Sequence, residues 1–481
     1  MGGSTMSEIT EKDREVIAGL MERARAAQKQ FEEQFTDQEA LREIVRHIGW
    51  MGVKYAETIA EMAARESRMG KYESKVAKMN SKMRGTMRDL LNAKTVGVVE
   101  EWPEKGLTRM VKPVGVVGAI IPCTNPEATP FIKAMDAIIC RDAIIFSPHP
   151  RTAGTNKFCC DLMRKVLKKF GAPEDLVLSI DEPTMGASAE LMARCDLVVA
   201  TGGGGLVKAA YSSGTPAYGV GAGNAVVIVD ETADLADACD KIYASKVFDN
   251  ATSCSSDNSI VVQDAVYGEV LERLQAKHGY LCTPEDQEKL RQMMFLPTGH
   301  YNGKMGFAGA SPERIAELAG ITDMPQGTEF FIVQENPASP DEIGSFAYPF
   351  GGEKLCVVLN VFRYGQFDEA VEIVNACHRF SGLGHSCGIH TKREDRVMEL
   401  AARTYTSRVM VNQATSLANS GSFTNGMPFT LSLGCGTWGG NSASENITYK
   451  QFLNNTWVAR PCAEDKPSDE ELFGAAMQCE L

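Results

Sequence analysis

The chain has 481 residues, of which 44% are hydrophobic and 23% charged, and its formal net charge is -13. That length exceeds what one hydrophobic core organises, so two large domains are expected, and the composition is that of a folded globular protein. An acidic chain repels phosphate backbones and anionic lipid, and without a sizeable basic patch it is expected to bind neither nucleic acid nor membrane.

In chain order, Met1 to Thr5 read as a leader before a second methionine, Met6, and no apolar signal core follows. A cytoplasmic location is therefore expected. The fourteen cysteines are scattered and never framed as CxxC, which suits reduced thiols. From Glu11 to about Leu91 apolar residues recur at helical spacing among Glu, Lys, Arg, Ala and Met, predicting several amphipathic helices. From Gly106 the texture changes to short apolar runs: VGVVGAIIP at Val114, DAIIFSPHP at Asp142, DLVLSID at Asp175, DLVVATGG at Asp196 and NAVVIVD at Asn224. These runs fall far short of the roughly 20 residues of a membrane span. Helical stretches separate them, which predicts β-α-β units and a parallel sheet, with ligands beyond the carboxyl ends of its strands. A second series runs through SIVVQD, FFIVQE, LCVVLNVF, GIHT and RVMVNQ, and the tail from Leu431 reads as loop. The expected fold is α/β with two doubly wound parallel-sheet domains behind a helical N-terminal region. The predicted boundaries are 1–235 for the helices and dinucleotide-binding domain, 236–430 for a catalytic domain, and 431–481 for a segment returning to the first domain and a subunit interface.

Three places carry chemistry. The turn T-G-G-G-G from Thr201 follows a strand and opens a helix, where bare backbone and free N–H groups cradle a phosphate; a plain tight turn has the same sequence. A second glycine-rich stretch, G-V-G-A-G-N from Gly219, reads equally as a turn. Cys254, in F-D-N-A-T-S-C-S-S, sits among small polar residues before an apolar strand. A nucleophilic cysteine needs thiolate character, which nearby N–H donors supply, although most cysteines are inert. His385, in G-L-G-H-S, is one of seven histidines and has no assigned role by itself.

These fragments occur together and in order with KPVGVVGAIIPCTNP, IIFSPHPRT, EKLCVVL and LGCGTWGGNSASEN, spanning Lys112 to Asn446. In this the chain resembles the aldehyde dehydrogenase superfamily, specifically its CoA-acylating branch. The resemblance implies Cys254 as nucleophile and Asn125 as the side-chain half of an oxyanion hole completed by the Cys254 N–H. It implies Thr201, Gly202 and Gly203 over the dinucleotide pyrophosphate, Ser147, Pro148 and His149 beside the adenosine ribose, and Glu353 on the nicotinamide ribose. His385 becomes a proton carrier or a group that orients CoA. Where hydrolytic members carry E-L-G-G-K this chain has G-V-G-A-G, so their water-activating glutamate, beside the cofactor, is replaced by Gly219. That departure implies CoA rather than water as the acyl acceptor.

The reaction so implied oxidises an aldehyde through a Cys254 thioester, with hydride passing to NAD or NADP, coenzyme A as co-substrate and no metal. Hydrolytic release of a free acid and a non-catalytic scaffold on the same fold are the alternatives, and the resemblance implies a homodimer or homotetramer. The loop from Asn412 offers Gln413, Thr415, Ser416, Asn419, Ser422 and Thr424 as donors, with Arg379 a candidate charged helper, which suits a short anionic aldehyde. The stretch G-S-F-T-N-G-M-P-F looks most like acylating sulfoacetaldehyde dehydrogenases, which ranks sulfoacetaldehyde ahead of succinate semialdehyde and acetaldehyde.

Overall fold

The computed structural model describes residues 9–479, so the leader read over Met1 to Thr5 lies outside the described residues. Four helices open the chain, at Glu11–Gln34, Gln38–Lys54, Ala56–Ser67 and Tyr72–Leu90. Each of the first two starts on a capping side chain. Thr10 accepts from the Asp13 N–H and Asp37 from the Ala40 N–H, satisfying donors that a helix start leaves free. The buried faces follow the helical period, with Ile17, Met21, Ala24 and Phe31 on the first helix and Leu41, Ile44, Val45 and Ile48 on the second. The second helix packs on a later one, Thr129–Ile139, that is buried along its whole length.

Strands β1 (Gly97–Trp102) and β2 (Leu107–Pro113) form an antiparallel hairpin that the apolar pattern does not predict. Five strands follow: β3 (Val116–Ile121), β4 (Ala143–Pro148), β5 (Val177–Ser179), β6 (Leu197–Thr201) and β7 (Ala217–Val220). They make a parallel sheet in the order β5-β4-β3-β6-β7, so its topological switch point lies between β3 and β6.

The chain then crosses to a second sheet built from β8 (Ala225–Val229), β9 (Asp257–Gln263), β10 (Gly279–Leu281), β11 (Phe330–Gln334), β12 (Val358–Tyr364), β13 (Cys387–His390) and β14 (Val409–Val411). Its order is β10-β11-β12-β9-β8-β13-β14, again with every pairing parallel. This corrects the expected boundary at 235. Strand β8 pairs with β9 and β13, so the crossing falls at residues 221–224, ahead of NAVVIVD, which the sequence groups with the first series. The last strand, β15 (Leu453–Ala459), returns to pair antiparallel with β2. Among the described residues no helix is long and apolar enough to cross a membrane.

Candidate active site

The two sheets present opposite edges to one cleft. From the first come carboxyl ends: β3 leads into Asn125, β4 ends in Ser147 and Pro148, and β6 ends in Thr201. From the second come amino ends, because Cys254 precedes β9, Glu353 precedes β12 and His385 precedes β13. The expectation that ligands lie beyond carboxyl ends therefore describes the first sheet and not the second.

A cavity of about 370 Å³ is lined by Asn125, Ser147, Pro148, His149, Thr201, Gly202, Gly203, Cys254 and Glu353 together. The helix Gly204–Tyr211 starts on Gly203, which has no capping side chain, and Cβ atoms placed at Gly203, Gly204 or Gly205 would meet nothing within 4 Å. With no side chain capping its first N–H groups and room around the glycines, this helix start fits a dinucleotide pyrophosphate. Ser147 Oγ lies 2.8 Å from Ser188 Oγ, and Thr201 Oγ1 lies 3.2 Å from Ser432 Oγ. Burial, with Arg151 nearby, lowers the His149 pKa.

Glu353 accepts from the Gly223 N–H at 3.1 Å. Burial pushes its carboxyl up to about 8, opposed by that bond and by Lys354. The turn carrying it is pinned by buried amides, as Asn258 donates to the Gly352 carbonyl at 2.6 Å and Asn224 to that of Gly351 at 2.8 Å. Lys354 adds bonds to the carbonyls of Asn258 and Gly352.

Cys254 Sγ lies 3.2 Å from His385 Nε2, and Nδ1 of that imidazole is 2.8 Å from Ser386 Oγ. Burial, joined by Glu353 and Cys435, raises the thiol pKa, whereas burial, with Arg408 and His378, lowers that of His385 to about 3. Burial thus favours a neutral thiol beside a neutral imidazole, within hydrogen-bond reach of each other. Arg408, which the sequence does not single out, donates to the His385 carbonyl at 3.0 Å and to Asn446 Oδ1 at 2.7 Å. It fastens the histidine to the glycine-rich tail.

The remaining candidates do not converge on this cavity. A Cβ on Gly219 would point at Val207 and Tyr211, each 3.0 Å away, so residue 219 faces the helix behind β7 rather than the thiol. The residue of this stretch that abuts the nucleophile is Gly223, whose absent Cβ would collide with the Cys254 carbonyl. Arg379 is 57% exposed on its helix and faces Asp341 at 3.8 Å, so it projects into solvent, away from the cavity. Gln413 bonds Asn425 at 2.9 Å, and Ser422 bonds Thr424 at 2.8 Å. Thr415 bonds the Ser255 carbonyl at 2.6 Å and so braces the nucleophile loop. Ser416 Oγ and Asn419 Oδ1 are buried without partners. Among the described residues no cluster of His, Cys, Asp or Glu is arranged to hold a metal ion.

The aldehyde dehydrogenase family model matches residues 1–291. A sulfoacetaldehyde dehydrogenase of Acholeplasma sp is 42% identical, over 95% of this chain and 94% of that one. A succinate-semialdehyde dehydrogenase (acetylating) of Clostridium kluyveri is 39% identical, over 95% of this chain and 99% of that one. Among solved structures, an acetylating aldehyde dehydrogenase from Geobacillus thermoglucosidasius superposes with a TM-score of 0.89 at 33% identity, covering 96% of this chain and all of that one. Fold and site thus define an oxidoreductase that acts on aldehydes. The chain belongs to the aldehyde dehydrogenase family, in its CoA-acylating branch.

Proposed function

We propose that this enzyme converts a short anionic aldehyde to its acyl-CoA through a thioester on Cys254, with sulfoacetaldehyde its first-ranked substrate and succinate semialdehyde its second. The observation that carries the reading is the Cys254–His385 pair, 3.2 Å apart, where a dinucleotide-sized cavity ends on Asn125. As sulfur bonds the carbonyl carbon, the S–H proton passes to His385 Nε2. The resulting oxyanion is held by the Asn125 amide and the Cys254 N–H, which has no partner in another described residue. Each such donor is worth about 3–4 kcal/mol in the transition state. A bound nicotinamide, NAD or NADP, supplies the hydride acceptor. Collapse of the oxyanion releases hydride and leaves the thioester. His385 gives up the first proton to solvent, the one net proton the oxidation releases; the CoA thiol then takes the acyl group, and its proton returns to Cys254 through the neutral His385.

The substrate ranking is supported by the two relatives at 42% and 39% identity. The other partners in this reading are second copies of the chain, and its free thiols suit a reducing cytoplasm. The test compares kcat/KM for sulfoacetaldehyde, succinate semialdehyde and acetaldehyde, with either dinucleotide and with or without CoA. Reduced dinucleotide forming equally fast without CoA would remove the acyl-transfer step. Acetaldehyde winning by tenfold, about 1.4 kcal/mol, would remove the anion preference.

A further inference from the structure

The helix Tyr72–Leu90 buries three lysines, Lys75, Lys78 and Lys82, at helical spacing. Lys78 Nζ donates to Asn125 Oδ1 at 2.6 Å and to Asp249 Oδ2 at 2.7 Å, and it forms an ion pair with Glu127 Oε1 at 2.9 Å. An ammonium has N–H donors and no acceptor, so it can meet only an acceptor atom of the amide. The oxygen of the Asn125 amide must therefore face Lys78 and its NH2 must face away. That NH2 donates to Thr124 Oγ1 at 3.2 Å and keeps one N–H for the cavity. Burial opposes the lysine charge, but the Asp249 and Glu127 carboxylates outweigh it and keep Lys78 protonated at any working pH.

The same ammonium reaches the other half of the oxyanion hole. Asp249, Asn250 and Ala251 all have positive φ, of 50°, 50° and 58°, a left-handed run that L-residues avoid and that leads directly to Cys254. Asp249 is what holds it. Its carboxylate accepts from Lys78, from Lys75 at 3.2 Å, from the Lys71 N–H at 2.8 Å and from Thr252 Oγ1 at 2.8 Å. A solvated helix face would not place an ammonium between two functional loops.

Building on the proposed thioester chemistry, we infer that Lys78 is a positioning residue that fixes the donor face of Asn125 and, through Asp249, the turn presenting the Cys254 N–H. The test is steady-state kinetics of Lys78→Met on the aldehyde the wild-type enzyme turns over best, with saturating CoA. Turnover should fall on the order of 10²–10³-fold, as when one oxyanion donor is lost, with KM for dinucleotide unchanged within about threefold. In an Asn125→Ala background the same substitution should cost clearly less than in wild type, because one of its two routes is already gone and only the one through Asp249 remains. The charge-balanced pair Lys78→Met with Glu127→Gln, which leaves one fewer orphaned carboxylate, should lose turnover equally. Retained turnover in either folded variant, or losses that multiply in full with Asn125→Ala, would overturn the inference. An inactive wild-type enzyme would instead overturn the function on which it rests.

Discussion

Burial disfavours both the Cys254 thiolate and the His385 imidazolium, which favours a neutral thiol in the resting enzyme. A thiol pKa raised above its usual value leaves little thiolate at neutral pH, and that fraction grows as pH rises. Alkylation of the free enzyme by iodoacetamide should therefore accelerate about tenfold per pH unit between roughly pH 6 and 10, without an earlier plateau. A plateau near neutrality would reveal a preformed thiolate–imidazolium pair, contrary to this geometry. Cys254→Ser should keep dinucleotide affinity but retain less than about 1% of turnover, since a hydroxyl is a far weaker nucleophile; equilibrium binding and single-turnover assays measure the two separately. At this scale Cys254, Asn125 and Glu353 were legible only because several motifs occur in order, since none is distinctive alone. Arg379 was misplaced because position along a chain does not reveal which side of a helix meets solvent. Lys78 escaped notice because a lysine on an amphipathic helix reads as solvated, although Lys75, Lys78 and Lys82 share the face of Met79 and Met83.

Where the chain leaves β7 for β8, it threads residues 221–224 between the cavity and the nucleophile loop, and this crossing explains the glycines there. Gly223 lies against the Cys254 carbonyl with no room for a Cβ, whereas Gly219 lies a full turn of strand away against Tyr211. Gly223→Ala should push the nucleophile out of register and lower turnover on the order of 10²-fold, the penalty expected for about 1 Å of misplacement. Gly219→Ala, whose Cβ would press on Val207 and Tyr211 and not on the nucleophile loop, should stay within about threefold of wild type. Equal losses in the two variants, measured as turnover per alkylatable Cys254, would show that the crossing does not set the thiol. The apolar runs of β3, β4, β6, β9, β11 and β12 announced themselves because strands buried on both faces need continuous apolar residues. Strands β1, β2 and β15 did not, because GVVEEW, LTRMVKP and LNNTWVA are partly exposed and mix charge with apolar residues. Strand β8 was visible as a strand, but nothing in its sequence says which sheet it joins.

Taken as a whole, the molecule has two parallel sheets closed over one cleft and a third, three-stranded sheet that is open at both edges. That third sheet joins chain segments some 340 residues apart, since Asn455 pairs with Val111 and Trp457 with Arg109. It also carries an aromatic pair, Trp102 stacked on Trp457 with ring centroids 5.6 Å apart. Trp457 is 54% exposed, an expensive place for a large apolar ring unless another surface covers it. If the 431–481 segment forms a subunit interface, as the resemblance implies, a second copy would cover this sheet. Two copies meeting at open strand edges add backbone hydrogen bonds to the buried rings, which makes such an edge a natural site of association. Trp457→Glu places a charge at that contact, and sedimentation equilibrium should show the wild-type dimer or tetramer shifting to monomer. The substitution lies far from Cys254, so alkylation of that thiol should keep its wild-type rate. An oligomer that survives Trp457→Glu, or a wild-type chain that sediments as a monomer, would leave the stacked tryptophans as a brace for β15 and assign the sheet no role in assembly.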